Sequence, residues 1–180
     1  MMKSSLSDNN IEKGRQVEKA RQSALRKLAA RERTEKEILD YLREAGCSTD
    51  EASEIIAEFK SWGYIDDEKY CRRYYEYARN KGRASARIAR ELMQKGISME
   101  MCRQVLEECG EEGHGDRQSA LEVGMKMAYG QIELGKTVDQ KFLARVGRRL
   151  AGLGYDSGTC YYVMNMIKSS SREIERKSEL

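Results

Sequence analysis

The chain has 180 residues, 39% hydrophobic and 35% charged, which is enough apolar material for a real core and too much for a disordered segment. Its formal net charge is only +3, so attraction to an acidic partner has to come from local clustering of cations. There is no proline, which suits long helices punctuated by glycine, and no run of apolar residues approaches the length of a membrane span.

The opening stretch MMKSSLSDNNIEKGR has no apolar segment for export and reads as a flexible tail over residues 1–13. A helix follows, with Val17, Ala20, Ala24 and Leu28 on one face. Three glycines then set a repeat. Gly46, Gly96 and Gly154 each have apolar residues four and eight positions before them: Leu42 and Ile38, Leu92 and Ile88, Leu150 and Val146. Two positions after each glycine stands a residue whose side chain can cap the next helix: Ser48, Ser98 and Asp156. The apolar positions beyond also agree: Ala52, Ile55 and Phe59, then Cys102, Val105 and Cys109, then Cys160, Val163 and Ile167. Each unit is helix, tight turn, helix, with the glycine in the left-handed C′ position and Cys47, Ile97 or Tyr155 as its apolar follower.

A further helix precedes the second and third pairs. Tyr70, Tyr74, Tyr77 and Ala78 share a face in one, and Leu121, Met125 and Ala128 in the other. The expected fold is all-α: three tandem three-helix repeats in an elongated, curved array. The expected boundaries are 14–65, 66–110 and 111–169, with joints near WGYIDD and ECGEEGHGD and a second flexible tail over 170–180.

GQIELGKT, Gly130 to Thr137, fits the pattern of a phosphate-binding loop. Such a loop needs a strand delivering it onto a helix N-terminus, but ALEVGMKMAY before it reads as helix, and Glu133 would repel phosphate. The expectation is a helix-to-helix link, with Lys136 solvated and Thr137 or Asp139 capping the next helix. GLGYDSG, Gly152 to Gly158, fails as a dinucleotide turn for the same reason, because it follows a helix. Cys47, Cys71, Cys102, Cys109 and Cys160 include no C-x-x-C pair and suit free thiols in a reducing cytoplasm. His114, the single histidine, lies in the linker-like CGEEGHGD, reads as solvent-exposed and has no partners for a zinc site. Asp66 and Asp67 read as helix caps. No catalytic constellation, metal or cofactor is expected.

Positive charge is concentrated in YCRRYYEYARNKGRASARIAREL and KTVDQKFLARVGRRL. At 100° per residue Arg83, Arg87 and Arg90 fall within about 60° of one another, away from Ile88 and Leu92. Counted from the glycines, the third unit has Lys141, Arg145 and Arg148 at these positions, and the first has Arg33, Glu37 and Asp40. A basic stripe on one helix is an ordinary solvated face; its recurrence in two units suits a surface that tracks an acidic partner. The candidate contact residues are Arg72, Arg73, Arg79, Lys81, Arg83, Arg87, Arg90 and Lys95 in the second unit, with Lys141, Arg145, Arg148 and Arg149 in the third. Tyr70, Tyr74, Tyr75 and Tyr77 could stack on bases, though helical spacing suits packing.

GYIDDEKYCRRYYEYARNKGRASARIARELMQKGI, Gly63 to Ile97, resembles the signature region of the RecX family, bacterial regulators of the RecA recombinase. The match runs in order through Gly63, Tyr64, Ile65, Asp66, Asp67, Tyr70, Tyr74, Lys81, Gly82, Ile88, Glu91, Leu92, Lys95, Gly96 and Ile97; Cys71 departs from the usual alanine. The flanking segments fit more weakly, over roughly residues 20 to 168 in all. The resemblance implies a protein that binds along the RecA–DNA filament and restrains strand exchange, ATP hydrolysis and coprotease action by RecA, a regulator in DNA repair and the SOS response; the chain is expected to be non-enzymatic and monomeric. Single- or double-stranded DNA is a possible partner, and a membrane is not. A helical nucleic-acid-binding module without a recombinase partner is the alternative.

Overall fold

In the computed structural model the backbone is described for residues 3–112 and 115–178, and side chains for residues 11–109 and 115–171. Nine α-helices, and no strand, occur among these residues. They are α1 (Lys3–Ala30), α2 (Glu35–Glu44), α3 (Thr49–Ser61), α4 (Asp67–Asn80), α5 (Ser85–Gln94), α6 (Met99–Glu112), α7 (Asp116–Glu133), α8 (Gln140–Leu153) and α9 (Ser157–Ser178). Each consecutive trio is one repeat, so the fold is the expected all-α array of three three-helix repeats.

Local chemistry starts and stops these helices. Thr34 and Ser48 each form a capping box, with Glu37 and Glu51 returning the bond to the cap's own N–H. Asp139 caps α8 by accepting from the Phe142 N–H at 2.7 Å. Middle helices α2, α5 and α8 end in Schellman turns: at Gly96, for example, Ile97 N–H donates to the Leu92 carbonyl and Gly96 N–H to that of Met93.

The chain divides into two compact units, Met1–Cys71 with Leu92–Met101, and Arg72–Glu91 with Cys102–Leu180. The first has a core of Ala20 and Ala24 from α1, Ile38 and Leu42 from α2, and Ala52, Ile55, Ile56 and Phe59 from α3. The Gly96 turn is seated in it. Thr34 is fully buried, and its Oγ1 donates to the Lys95 carbonyl at 2.6 Å. Asp67 accepts the Glu35 N–H at 2.9 Å, capping α2 from the start of α4. Gly96 has φ +92°, and a Cβ there would lie 2.3 Å from Cβ of Lys36.

The second unit repeats the same joint. Its core is Ala120 and Ala128 of α7, Phe142, Leu143, Val146, Leu150 and Leu153 of α8, and Cys160, Val163 and Ile167 of α9. Ala84, which stands as far before Gly96 as Thr34 does before Gly46, donates its N–H to the Leu153 carbonyl at 3.0 Å. Asp116 accepts the Ser85 N–H at 3.1 Å, as Asp67 does for Glu35. Gly154 has φ +96°, and a Cβ there would meet Cβ of Arg87 at 2.6 Å. In each joint the start of a middle helix leans on the next repeat's glycine turn, and an acid at the start of that repeat caps it.

Several sequence expectations are corrected. The backbone of α1 is helical from Lys3, and α9 runs to Ser178, so helix covers much of both expected tails; with no proline to stop it, a nucleated helix adds one hydrogen bond per residue. Helix α6 runs to Glu112, through half of the second expected joint. His114 lies outside the described residues. On α4 the buried residues are Cys71, Tyr75 and Ala78, while Tyr70 and Tyr74 are half-buried and Tyr77 is exposed. On α7 they are Ala120, Gly124 and Ala128, with Leu121 and Met125 half-buried. A Cβ on Gly124 would stand 2.4 Å from Val163, so close approach of α9 selects this small face. Cys109 is half-buried rather than core.

Gly96→Val should destabilise the protein by about 1–3 kcal/mol, through backbone strain and displacement of Lys36. Thr34→Val keeps the shape but removes both the α2 cap and the bond to Lys95, and should cost a similar amount, about 1–3 kcal/mol. Chemical denaturation of each variant against the parent checks both values; wild-type midpoints would remove the glycine joint as a stabilising element.

Candidate nucleic-acid interface

The expected interface residues separate into cations held inside the chain and cations that face solvent. Arg79 is the most firmly held: its guanidinium donates to Asp116 at 2.6 Å and to Ser119 Oγ at 2.5 Å, and its side chain is only 13% exposed. The same Asp116 caps α5, so Arg79 balances a structural carboxylate. Arg72 pairs with Glu108 at 2.5 Å. Lys95 pairs with Glu37 at 3.1 Å and lies 5.7 Å from the Tyr70 ring centre. Arg73 is exposed and also interacts within the chain.

Arg83 and Arg87 meet on one carboxylate. Arg83 Nη1 donates to Glu91 Oε2 at 2.8 Å, and Arg87 Nε donates to Oε1 at 2.9 Å, one helical turn away. Tyr74 completes the set, its hydroxyl donating to Glu91 Oε2 at 2.9 Å. Burial pushes the Glu91 carboxyl up, but the bonds from Arg87 and Tyr74 and the two positive charges outweigh it and hold the group below its usual range. Arg87 also donates to the Gly152 carbonyl. The two arginines are therefore half-buried parts of a network, not the freely exposed stripe that helical spacing suggests. Glu37, at the matched position of the first unit, closes the α2 capping box and holds Lys95. Burial raises its pKa, but the bonds from Lys95 and Thr34 prevail and lower it.

The solvent-facing cations are different. Among the described residues Arg90, Lys141, Arg148 and Arg149 are exposed and form no hydrogen bond or ion pair. Arg145 is exposed, donates to Gln131 Oε1 at 2.8 Å and lies 5.0 Å from the Phe142 ring centre. Helix α8 carries four cations and no acid between Gln140 and Leu153, and Asp139 is committed to its cap. Arg149 lines a groove of about 870 Å³ together with Lys81 and Lys126, over Val123, Met127 and Leu153; Glu76 and Glu122 also border it. Lys81 is exposed, with its ammonium 5.8 Å from the Tyr77 ring centre.

The octapeptide Gly130 to Thr137 does not form a phosphate cradle. Gly130 to Glu133 are the last turn of α7, Gly135 is a left-handed turn residue, and Lys136 is exposed. Asp66 caps its own helix through the Lys69 N–H at 2.9 Å, and Asp67 caps α2, as the sequence suggested.

Sequence reasoning missed the role of Glu91. The spacing Arg83, Arg87, Glu91 puts the three residues one turn apart and carried that signal. Lys126 had none, because its approach to Lys81 and Arg149 depends on how α7 packs.

Two family models match the chain: "RecX, first three-helix domain" over residues 20–59 and "RecX, second three-helix domain" over 66–106. Among curated relatives, a protein of Legionella pneumophila (strain Corby) called "Regulatory protein RecX" is 32% identical over 152 residues, covering 84% of this chain and 97% of the relative. One of the same name from Clostridium perfringens is 28% identical over 84% of this chain and 70% of its own length. One from Salmonella paratyphi A is 34% identical over 96 residues, 48% of this chain and 58% of that relative, so this match spans less than two thirds of it. The crystal structure of RecX from Lactobacillus salivarius aligns with a TM-score of 0.67 at 20% identity, over 86% of this chain and 98% of that one, and shares its fold. With the Legionella relative matched over nearly its whole length and both family domains in sequence order, this chain belongs to the RecX family.

Proposed function

We propose that this chain is a non-enzymatic, cytoplasmic regulator that binds the RecA–DNA filament as a monomer and inhibits recombination, ATP hydrolysis and coprotease action by RecA. Family membership supports the regulatory role, and relatives carry the name "Regulatory protein RecX". The observation that carries the reading is the acid-free row of solvent-facing cations on α8, which suits a polyanionic filament. Arg90 and Lys81 extend the basic surface within the same unit. Arg79, Arg83, Arg87 and Lys95 act mainly by holding the repeats in shape. A repeat boundary at 65/66 belongs to this proposal, and the second boundary falls after α6 rather than at 110/111. No described helix is long and apolar enough to cross a membrane.

A helical module that binds DNA without the recombinase is the second reading, favoured by the same cations; binding to bare DNA as tight as to filaments would select it. Lys141→Glu with Arg145→Glu should weaken binding to fluorescent RecA–DNA filaments by about tenfold or more while leaving the melting temperature near the parent's, since both side chains are exposed. The loss should shrink at higher salt. A folded double variant that binds and inhibits like the parent would remove α8 from the interface. Lys136→Ala should bind filaments as the parent does, and ATP binding by the parent that vanishes in this variant would restore the phosphate-loop reading.

A further inference from the structure

The two basic stripes are equivalent in register but not in availability, and one residue makes the difference. Counted from the glycine, Glu91 of α5 and Arg149 of α8 occupy the same position. On α5 that position draws Arg83 and Arg87 inward onto a carboxylate, at 2.8 and 2.9 Å. On α8 it adds a cation to Lys141, Arg145 and Arg148. Lys141, Arg145 and Arg148 lie within about 60° of one another around the helix, spaced by close to one turn, and Arg149 adjoins them. Arg149 opens into the groove it shares with Lys81 and Lys126. No acid interrupts the row on α8, whereas Glu76 and Glu122 border the groove.

The nature of the partner follows from what α8 lacks. Protein interfaces are anchored by buried aromatic, aliphatic and arginine side chains in well-packed patches. Among the described residues, no large hydrophobic side chain of α8 is exposed; its solvent-facing non-cationic residues are small or polar, such as Ala144 and Ala151. Cations repeated at one-turn spacing without an apolar anchor suit a regularly spaced, sequence-independent line of negative charge.

We propose that α8, with Arg149 turning into the groove beside Lys81 and Lys126, is a binding surface for the phosphate backbone of nucleic acid, and that Glu91 keeps Arg83 and Arg87 of the equivalent α5 stripe away from that backbone. This rests on the reading that the basic surface faces a polyanion, and it divides the labour between two stripes that the register alone makes alike. Arg83 and Arg87 then fix the geometry of the second repeat, while α8 supplies the salt-sensitive attraction.

The test uses the full-length chain and a fluorescein-labelled oligothymidylate without RecA, titrated at two salt concentrations, with melting curves for every variant. Lys141→Gln, Arg148→Gln and Arg149→Gln combined should lower affinity about tenfold or more and reduce the slope of log affinity against log salt by about 2, at about 0.7 for each phosphate that is no longer neutralised. Arg83→Gln with Arg87→Gln should change affinity by less than about threefold, even where it lowers the melting temperature. Glu91→Gln should raise affinity by about two- to fivefold, by releasing two guanidiniums toward solvent. The proposal is overturned if the triple variant binds with the parent's affinity and slope, if the Arg83 and Arg87 pair costs as much as the triple, or if the triple loses filament binding while keeping oligonucleotide binding. A parent that binds the oligonucleotide as described but leaves RecA activity unchanged would refute the recombinase reading and leave this surface standing.

Discussion

A helix can seat against the next repeat's turn only where that turn has no side chain in the way. At Gly96 and Gly154 the backbone adopts φ +92° and +96°, and the space a Cβ would need is filled by Lys36 and Arg87. The carbonyls just before these glycines, those of Lys95 and Leu153, accept from Thr34 Oγ1 and the Ala84 N–H. Left-handed backbone therefore does two things at once: it ends one helix and opens a socket for another. The acids Asp67 and Asp116 reinforce each joint from the following repeat by capping the helix that has just docked. Burial pushes the Asp67 carboxyl up, which marks it as a group placed for structure at some electrostatic cost.

The first turn and the last middle helix use different partners. At Gly46 it is Gln16 of α1 that fills the socket, donating to the Ala45 carbonyl at 3.1 Å. Helix α8 is capped by its own Asp139. The Gly96 and Gly154 joints use partners from neighbouring repeats, while Gly46 and α8 use partners within their own repeat, so the polar backbone groups at these helix ends are satisfied either way.

Much of this was legible in the sequence. The glycine register located α2, α5 and α8, their core residues Ile38, Leu42, Ile88, Leu92, Val146 and Leu150, and the caps that follow them, because each depends on spacing within one helix-turn-helix. The first helices of the second and third repeats were harder. Tyrosines on α4 can face core or solvent with little penalty, so helical spacing groups Tyr77 with Ala78 although Tyr75 is the buried tyrosine. On α7 the helical pattern finds Ala128 but favours the bulky Leu121 and Met125 over Ala120 and Gly124, small residues that let α9 approach closely. The candidate interface was half legible. Charge and periodicity marked both stripes, but Arg79 finds Asp116 across 37 residues, a pairing that no local pattern carries. Which cations are free is a property of tertiary structure, and it reorders the site: α8 faces outward where α5 turns in on Glu91.

The proposed function joins family membership to a physical surface: that this chain restrains RecA by engaging its filament is the proposal. RecA ATP hydrolysis on single-stranded DNA, measured with increasing amounts of the full-length chain, addresses it most directly. The account predicts a dose-dependent fall in hydrolysis that weakens as salt is raised. A hydrolysis rate that stays at the RecA-alone value across the titration, at low salt and with a folded chain, would contradict it.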